Sequence, residues 1–258
     1  MSGRTALIGS TGLVGGTLLR QTDFDDRFHS TDIEQIAGRD YGLVVCAGAP
    51  AVKWKANRDP DADRANLDRL MDALGRAHAD HVILISTVDV YAQPVDVDEA
   101  TPVDGVPNHA YGTHRRALER FVEGRFDSTI VRLPGLFGAG LKKNVIYDFL
   151  HGNLLDQVDA RSVFQFYDLE RLWADLQAVR ALGLPLVNLP TEPVSVADVA
   201  AHGFGLRFDN HTEAGPARYD MRTRHAAALG GADGYLEDAP TVLERIARYA
   251  ASEGWVRP

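Results

Sequence analysis

Short, largely apolar runs alternate with helically spaced apolar residues along the first half of the chain. Four of these runs span residues 4–10, 42–50, 81–86 and 128–135. Runs of this length with apolar residues on both faces are typical of strands in a parallel sheet, which helices cover on each side. A shorter run at 27–30 predicts one more strand.

Segments with helical periodicity separate these strands. The clearest is 62–78, where apolar residues recur at i, i+3, i+4 and i+7 as Leu67, Leu70, Met71 and Leu74. Such spacing predicts an amphipathic helix. Further helices are predicted at 12–21, 31–39 and 109–124. Repeated units of strand, helix and strand with short connections imply right-handed crossovers, so we expect an α/β fold with a doubly wound (Rossmann) parallel sheet.

The pattern becomes less regular after residue 139. The predicted elements there are a strand at 162–167, a helix at 169–183, a strand at 184–189 and helices near 222–229 and 240–252. We therefore expect two domains. A Rossmann domain covers residues 1–139, and a smaller C-terminal α/β lobe covers 140–258, with room for some of its segments to return to the main sheet.

Composition and charge narrow the class of protein. With 45% hydrophobic and 24% charged residues, the chain has an ordinary globular composition. A net charge of −9 argues against a nucleic-acid partner, because phosphate backbones are bound by clustered Lys and Arg. The apolar runs are far shorter than the roughly 20 residues of a membrane-spanning helix. The N-terminus also lacks a basic segment followed by an apolar one, so we expect no membrane partner.

The use of cysteine and histidine points to a reducing compartment and to no metal. Cys46 is the only cysteine, which rules out an internal disulfide and fits a cytoplasmic location. The nine histidines lack the spacing and the companion ligands of a zinc site. We therefore predict a cytoplasmic protein without a metal.

Three glycines stand between the first predicted strand and the first predicted helix. In this G-x-x-G-x-x-G motif, Gly9 permits a sharp turn, Gly12 lets a pyrophosphate approach the backbone, and Gly15 allows the helix to pack closely on the strand. Amides at the helix N-terminus favour the phosphate charge. The motif predicts NAD or NADP binding by the first domain, against the alternative of a glycine-rich turn without a ligand. The predicted contacts are Gly9, Thr11, Gly12, Leu13, Val14 and Gly15.

An acidic residue at the end of the second strand would select NAD by binding the ribose hydroxyls. Asp25, Asp26 and Asp32 are the candidates for this position. Asp32 is equally well placed to cap the following helix. The sequence therefore leaves the choice between NAD and NADP open.

Polar residues also follow the strand at 81–86. Ser86 and Thr87 are expected at the carboxyl edge of the sheet, where ligands bind. Tyr111 and Arg115 lie four residues apart on the next helix and therefore share a face. We expect the guanidinium to lower the pKa of the phenol, which makes Tyr111 a candidate general acid and base. The hydroxyl of Thr87 would bind the substrate oxygen.

Four motifs, in this order, resemble those of extended short-chain dehydrogenase/reductases of the nucleotide-sugar epimerase/dehydratase type, with a particular likeness to dTDP-4-dehydrorhamnose reductases. They are the glycine motif, "STVDVY" at 86–91, "YGTHR" at 111–115 and "RLPGLFG" at 132–138. The likeness is strong through the first domain and thinner afterwards. It implies that Thr87 and Tyr111 are catalytic. It also implies further cofactor contacts from Ala47, Gly48, Ala49, Ser86, Tyr111, Arg115 and Pro134.

Two positions depart from the pattern of that family. Arg115 replaces the lysine that in the family lowers the pKa of the tyrosine and holds the nicotinamide ribose, and arginine differs from lysine in shape and reach. Asp89 stands two residues after Thr87, where related dehydratases carry a Glu. Asp89 is thus a candidate catalytic residue or a plain loop carboxylate, and a full dehydratase mechanism is disfavoured.

Three residues are candidates for substrate binding. Lys53 and Trp54 follow the run at 42–50 and would stand at the mouth of the site, although Trp54 could equally pack between lobes. Arg171 lies in a segment that resembles the family's substrate lobe. It would hold a diphosphate, or else form a surface salt bridge.

The resemblance implies an NAD(P)-dependent oxidoreductase or epimerase that acts on a nucleotide-linked sugar, and the short second lobe favours a reductase. The alternative is a catalytically inactive NAD(P)-binding regulatory or sensor protein, which the change from lysine to Arg115 supports. A homodimer is left open as the assembly.

Overall fold

The computed structural model describes residues 3–256. Its central sheet has six strands, labelled here in chain order as β1 Thr5–Ile8, β2 Asp26–Phe28, β3 Leu43–Cys46, β4 Val82–Thr87, β5 Ser128–Leu133 and β6 Leu186–Asn188. The order across the sheet is β6, β5, β4, β3, β1, β2. The pairings of β1 with β2, of β1 with β3 and of β3 with β4 are parallel. The predicted doubly wound α/β sheet is confirmed.

The order of strands reverses beside β1. The chain passes from β1 to β2 on one side and then returns to add β3, β4, β5 and β6 on the other. Open α/β sheets bind ligands at such a point, outside the carboxyl ends of the strands. Ile8 of β1 pairs in register with Cys46 of β3. The residues that follow them, Gly9 and Ala47, therefore meet at this edge.

Among the described residues, five α-helices belong to the unit built on this sheet. They are α1 Leu13–Gln21, α2 Lys53–Arg58, α3 Pro60–Gly75, α4 Ala110–Arg125 and α5 Leu172–Ala181. Side chains cap two of them: Asp59 accepts a hydrogen bond from the Ala62 amide at the start of α3, and Nδ1 of His109 accepts one from the Gly112 amide at the start of α4. Such caps satisfy amides that have no partner within the helix. The start of each helix is thus fixed by local sequence.

The apolar faces of α3 and α4 pack on the sheet. One buried cluster contains Leu67, Leu70 and Leu74 of α3, Leu118 and Val122 of α4, and Val44, Cys46, Val82 and Leu84 of β3 and β4. Burying each large apolar side chain stabilises the fold by roughly 1.5–3 kcal/mol. The core therefore holds α4 against the strands whose carboxyl ends carry the candidate site.

The chain divides into two compact units that interleave along the sequence. The first contains residues up to Ala92, then 100–132 and 172–187, and the second contains 93–99, 133–171 and the residues from 188 onward. Helix α5 and most of β6 thus belong to the first unit although they lie beyond residue 139. No helix within residues 3–256 combines the length and the apolar character needed to cross a bilayer.

The second unit is built from short strands and two longer helices. Its strand pairs are Gly135–Phe137 with Phe166–Asp168, Val163–Phe164 with Val194–Ser195, and Val95–Val97 with Asp220–Met221. Its helices of seven residues or more are Val145–His151 and Ala239–Ser252. The helix Ala239–Ser252 packs on the π-helix Val199–Phe204, where a Cβ on Gly203 would lie 2.9 Å from Cγ2 of Ile246.

Two predictions for this unit are wrong in detail. The helix predicted near 222–229 is reduced to one 3₁₀ turn at Ala227–Leu229, which ends where Gly230 adopts a positive φ of 82°. The strand predicted at 162–167 is interrupted at Gln165, whose buried side-chain amide donates to the carbonyl oxygens of Thr191 and Met221. The first departure comes from turn chemistry and the second from long-range side-chain hydrogen bonds, and the apolar pattern reports neither.

Candidate active site

The glycine motif forms a tight turn between β1 and α1. Gly9 has a φ of +87°, and a Cβ there would collide with the carbonyl oxygen of Ala47. A Cβ on Gly15 would collide with the carbonyl oxygen of Gly9, so α1 lies directly against the turn. Each of these two positions excludes any larger residue. A Cβ on Gly12 would meet only the Gly9 oxygen, at 3.4 Å, so the space in front of Gly12 is open.

The first turn of α1 can receive an anion. Gly12 precedes Leu13 as the N-cap and offers no side chain to the free amides, and the first turn of the helix carries no acidic residue. Thr11 and Gly12 are exposed, while Leu13 and Val14 are half-buried. Unpartnered amides and the helix dipole together favour a phosphate group at this position. The residues present therefore fit the pyrophosphate of a dinucleotide.

The end of β3 completes this crevice. Ala47, Gly48 and Ala49 are half-buried and follow Cys46 directly. A Cβ on Gly48 would lie 2.8 Å from Cγ2 of Ile8, so the two strand ends approach as closely as glycine allows. The structure thus brings this predicted loop together with the glycine turn.

Two of the three acidic candidates for ribose binding lie at the wrong end of β2. Asp26 pairs with Ala6, three residues before Gly9, so Asp25 and Asp26 stand at the amino end of the strand. Asp25 accepts hydrogen bonds from the amide and hydroxyl of Thr5, which hold the pKa of its carboxyl below the usual range. The prediction that either residue reads the ribose is wrong, because the start of a parallel strand lies away from its ligand-binding edge.

Asp32 lies beyond the carboxyl end of β2. Its Oδ1 accepts from the His29 amide at 2.7 Å, and its Oδ2 lies 3.0 Å from Nε2 of His29. It makes no side-chain cap to the 3₁₀ helix Ile33–Ile36 that it precedes. Asp32 therefore stays a candidate for the ribose, with His29 as its neighbour.

The side chains of Thr87 and Tyr111 lie next to each other. Thr87 is the last residue of β4, and its hydroxyl interacts with the phenol of Tyr111 near the start of α4. Oγ1 of Thr87 also accepts from the Asp89 amide at 3.2 Å. The Tyr111 amide donates to Oδ1 of Asn57 at 2.9 Å, which ties α2 to the first turn of α4. The structure therefore brings the two predicted catalytic residues into contact.

Arg115 lies flat against Tyr111, with its guanidinium carbon 3.9 Å from the ring centroid. It is 3% exposed, and it donates to both carboxylate oxygens of Asp63, at 2.5 and 2.9 Å, and to the carbonyl oxygen of Pro50. Its Nε is buried without a hydrogen-bond partner among the described residues. Asp63 also lies 2.8 Å from Nδ1 of His114. The arginine that replaces the family lysine is thus held by a buried carboxylate.

The expected lowering of the pKa of Tyr111 is wrong. Burial raises the pKa of this phenol above its usual value, and the positive charge of Arg115 and the hydrogen bond from Thr87 offset only part of that effect. The physical reason is that Tyr111 is only 7% exposed, and the charge of Asp89 raises the pKa further. Tyr111 is therefore protonated at neutral pH.

A second ion pair stands beside Tyr111. Nζ of Lys53 lies 2.6 Å from Oδ1 of Asp89, and both charges act on the pKa of the phenol, with Lys53 lowering it and Asp89 raising it. Burial, and then the charge of Lys53, lower the pKa of His109. Its neutral imidazole suits its role as acceptor at the start of α4. Trp54 is 64% exposed and lies under the guanidinium of Arg58, away from the core.

Three predicted residues do not join this group in the described contacts. Ser86 turns its hydroxyl to Oε1 of Glu119, at 2.5 Å. Pro134 and Arg171 belong to the second unit, where Nη1 of Arg171 forms an ion pair with Glu237 at 2.6 Å. Within residues 3–256, no three His, Cys, Asp or Glu residues form a metal site.

Sequence reasoning missed several residues that hold the site. Asn57 and Asp63 precede the motif helix by about fifty positions, and no spacing rule connects them to Tyr111 and Arg115. Asn108 donates to the carbonyl oxygens of Asp89 and Val90 and so fixes the turn after β4. A signal for Asp63 existed, since an arginine on a buried helix face requires an acidic partner.

The sheet order, the glycine turn at the reversal point and the parallel pairing define a Rossmann-type α/β protein. A family model described as the NAD dependent epimerase/dehydratase family matches residues 12–181. The chain belongs to this family. Comparison with curated protein sequences gives no match.

Solved structures with the same fold span nearly the whole chain. One is MoeE5 in complex with UDP-glucuronic acid and NAD, with 18% identity, a TM-score of 0.72, and 97% of this chain and 99% of that chain covered. A UDP-galactose 4-epimerase has 17% identity, a TM-score of 0.72 and coverage of 98% and 100%. A dTDP-4-dehydrorhamnose reductase from Bacillus anthracis, in complex with NADP, has 16% identity, a TM-score of 0.71 and coverage of 98% and 99%.

Proposed function

We propose that this protein is an NAD(P)-dependent oxidoreductase that acts on a keto or carbinol carbon of a nucleotide-linked sugar. The observation that carries the proposal is the contact between Thr87 and Tyr111, with Arg115 stacked on the phenol. A hydroxyl and a phenol that meet at the carboxyl edge of a sheet, in a unit with an open glycine turn, suit proton transfer beside a dinucleotide. Family membership supports the same chemistry.

The residues of the first unit have separate roles in this proposal. The amides at the start of α1 hold the pyrophosphate in front of Gly12. Thr87 orients the substrate oxygen, and Tyr111 gives that oxygen a proton in reduction or takes one in oxidation. A bound nicotinamide supplies or accepts the hydride. The buried Arg115 and Asp63 keep the phenol in place.

A protonated Tyr111 can act first as a general acid, as the reduction of a keto sugar requires. A general acid must carry its proton at the start of the reaction, and burial keeps the phenol protonated by raising its pKa. An epimerase begins with oxidation, for which the same residue would first need to act as a base. Reduction of a keto sugar is therefore the first reaction to test, and interconversion of epimers is the second.

The experiment combines cofactor binding with turnover. NAD⁺ and NADP⁺ affinities are measured by calorimetry, and UDP- and dTDP-linked 4-keto sugars are screened by the loss of NAD(P)H absorbance. A reductase consumes the reduced cofactor in step with product, whereas an epimerase shows no net change. Tyr111→Phe should lower kcat by roughly 10²–10⁴-fold. Equal turnover by wild type and Tyr111→Phe would contradict the proposal.

A matched control is Tyr41→Phe. Tyr41 is also buried, but it precedes β3 at the opposite edge of the sheet, where its hydroxyl donates to Oδ2 of Asp26 at 2.8 Å. This variant loses one phenol hydroxyl far from the glycine turn. It should keep wild-type kcat, so that loss of activity in Tyr111→Phe cannot be ascribed to the removal of a buried hydroxyl alone.

A cofactor-binding protein without turnover is the second candidate function. The observation that favours it is the ion pair between Arg115 and Asp63, which occupies the guanidinium with protein partners. In this case NAD(P) binds with an intact glycine turn, and no keto sugar is reduced. Cofactor affinity without any turnover, unchanged by Tyr111→Phe, would favour this candidate.

A further inference from the structure

A buried polar cluster lies behind the contact between Thr87 and Tyr111. We call it the Glu119 cluster, and it consists of Ser86, Tyr91, Glu119 and Arg132. Oε1 of Glu119 accepts from Oγ of Ser86 at 2.5 Å and from Nε of Arg132 at 3.0 Å, and Oε2 accepts from Nη2 of Arg132 at 2.7 Å. Nη1 of Arg132 donates to the hydroxyl of Tyr91 at 2.9 Å.

The cluster is almost completely removed from solvent. Glu119 is 0% exposed, Arg132 is 1% exposed and Tyr91 is 3% exposed. Arg116, at the margin, donates a further hydrogen bond to Oε2 of Glu119 at 3.0 Å. Both carboxylate oxygens therefore carry two hydrogen bonds each, which is the satisfied state that a buried polar network requires.

Overall stability is a weak explanation for such a cluster. Removing two charges from water costs so much that apolar residues of the same volume often stabilise a fold equally well or better. A satisfied ion pair instead fixes the relative position of the elements that carry it, because a bidentate guanidinium and carboxylate accept only one relative orientation. The position of the cluster in the fold then indicates what it orients.

The cluster joins the elements that meet at the candidate active site. Ser86 immediately precedes Thr87 on β4, Glu119 lies on α4 two turns after Tyr111, and Arg132 lies on β5. Tyr91 closes the 3₁₀ turn Val88–Val90, whose Asp89 amide donates to Thr87. Ser86 is thus bonded directly to Thr87, Tyr91 follows the turn after it, and Glu119 shares a helix with Tyr111, yet no member is among the described contacts of Tyr111.

We infer that the Glu119 cluster is a positioning device, which fixes the end of β4 relative to α4 so that the Thr87 hydroxyl reaches the Tyr111 phenol. In this assignment Ser86 acts through Glu119 and not as a cofactor ligand. It also gives a physical role to the polar residues of "STVDVY" and "RLPGLFG" that the proposed reaction does not use, namely Ser86, Tyr91 and Arg132. The inference extends the proposed function, but its geometric content can be tested without a substrate.

The test observes Tyr111 directly. Protein labelled with ¹³Cζ-tyrosine is titrated by NMR, and the Tyr111 signal is assigned from its loss in Tyr111→Phe. The groups that act on this phenol are Arg115 on its own helix, Thr87 and Asp89 after β4, and Lys53 on α2. Thr87→Val is the reference, since loss of its hydrogen bond should raise the pKa of Tyr111 by roughly half a unit to one unit.

Ser86→Ala should raise the pKa of Tyr111 in the same direction as Thr87→Val. Glu119→Gln should also change the pKa of Tyr111, because it removes the acceptor of Ser86 together with a negative charge. Glu123→Gln is the matched control on the same helix, because Glu123 binds Arg116 at 3.0 Å without contacting Ser86 or Arg132. It should leave the titration unchanged. Ser86→Ala retains the ion pair, so it keeps the experiment decisive if Glu119→Gln fails to fold.

A folded Ser86→Ala whose Tyr111 titration matches wild type would overturn the positioning role. The same holds if Glu123→Gln and Glu119→Gln change the titration equally. If a substrate is found, Ser86→Ala should lower kcat with KM unchanged, because the cluster aligns reacting groups and does not bind the substrate. A titration shift without any turnover would contradict the proposed function alone and leave the positioning role standing.

Discussion

Replacing Asp63 by Asn tests whether the buried carboxylate is what makes Arg115 compatible with the site. The substitution keeps the shape of the side chain and one acceptor but removes its charge. Arg115 then carries an unbalanced positive charge at 3% exposure, with the carbonyl oxygen of Pro50 as a remaining partner. The ion pair lies among α3, α4 and the loop after β3, so the change acts on the frame of the active site.

The expected loss of stability follows from the geometry of the pair. With two N to O contacts of 2.5 and 2.9 Å, the charge centres are about 4 Å apart, and an effective dielectric constant of about 20 gives an attraction of about 4 kcal/mol. Breaking a buried pair by removing one partner costs ~3–5 kcal/mol. That is a large part of the roughly 5–15 kcal/mol that stabilises a typical domain.

Urea unfolding at neutral pH measures this loss, with Asp68→Asn as the control. Asp68 lies on the same helix and pairs with Arg64 at 2.8 Å, but both side chains are 47% exposed. An exposed pair of this spacing contributes only ~0.3–0.5 kcal/mol. Equal losses in Asp63→Asn and Asp68→Asn would refute the argument that burial makes the first pair strong.

The pH dependence gives the same test a second readout. Burial alone would raise the pKa of Asp63, but hydrogen bonds from Arg115 and His114 outweigh it and hold the pKa below the usual range. A depressed carboxyl pKa stabilises the fold above its unfolded pKa, roughly 3.9, and this stability is lost as the pH falls through the lower folded value. Wild type should therefore lose more stability than Asp63→Asn in this acidic window.

Four further substitutions test the cofactor turn, the cation beside the phenol and the acid at the sheet's opposite edge. Gly12→Val should weaken NAD(P) binding by at least tenfold in calorimetry with little change in the unfolding midpoint, because the space in front of Gly12 is open. Gly15→Val should instead destabilise the protein, since its Cβ collides with the Gly9 oxygen. The reverse pattern would contradict the assignment of Gly12 to the cofactor site. Lys53→Met should raise the pKa of Tyr111 in the NMR titration, because it removes a positive charge and leaves Asp89 unbalanced; an unchanged or lowered pKa would disprove the coupling. Asp26→Asn should leave the NAD and NADP affinities and their ratio unchanged, because Asp26 lies at the amino end of β2; a changed ratio would restore it as a ribose reader.

The sequence predicted the structural features that depend on a repeating spacing of residues or on a local motif. Leu67, Leu70 and Leu74 lie on the buried face of α3 as their spacing predicts, and Gly9 has the positive φ that its turn requires. These features depend on local spacing, and local spacing is what a sequence displays. The contact of Thr87 with Tyr111 was also accessible, because both positions are fixed by the ends of a strand and a helix.

Long-range polar partners were not accessible in the same way. Arg115 meets Asp63 across 52 positions, and Arg132 meets Tyr91 across 41, and neither pair has a spacing that a pattern could reveal. The sign of the pKa shift at Tyr111 was missed for a related reason, since it depends first on how deeply the fold buries the phenol, which its spacing from Arg115 does not show. Asp25 and Asp26 were misjudged as ribose ligands because β2 begins at Asp26, which places both residues at the amino end of the strand.

The choice between a reductase and a silent cofactor-binding protein depends on what the Arg115 and Asp63 pair does to the phenol. A free cation at this position would favour the phenolate, which suits a base. A cation paired with a buried carboxylate keeps its shape against the ring, and burial outweighs the effect of its charge on the pKa of the phenol, so Tyr111 stays protonated and suits an acid. The replacement of the family lysine by Arg115 then does not indicate a loss of catalytic function. Burying the pair of Arg115 and Asp63 costs desolvation energy, which only accurate hydrogen bonds offset. A degenerate site has no need of such a pair. A protonated Tyr111 fits the proposed reduction of a keto sugar, and turnover of such a substrate with loss of NAD(P)H absorbance would distinguish this function from a silent cofactor-binding site.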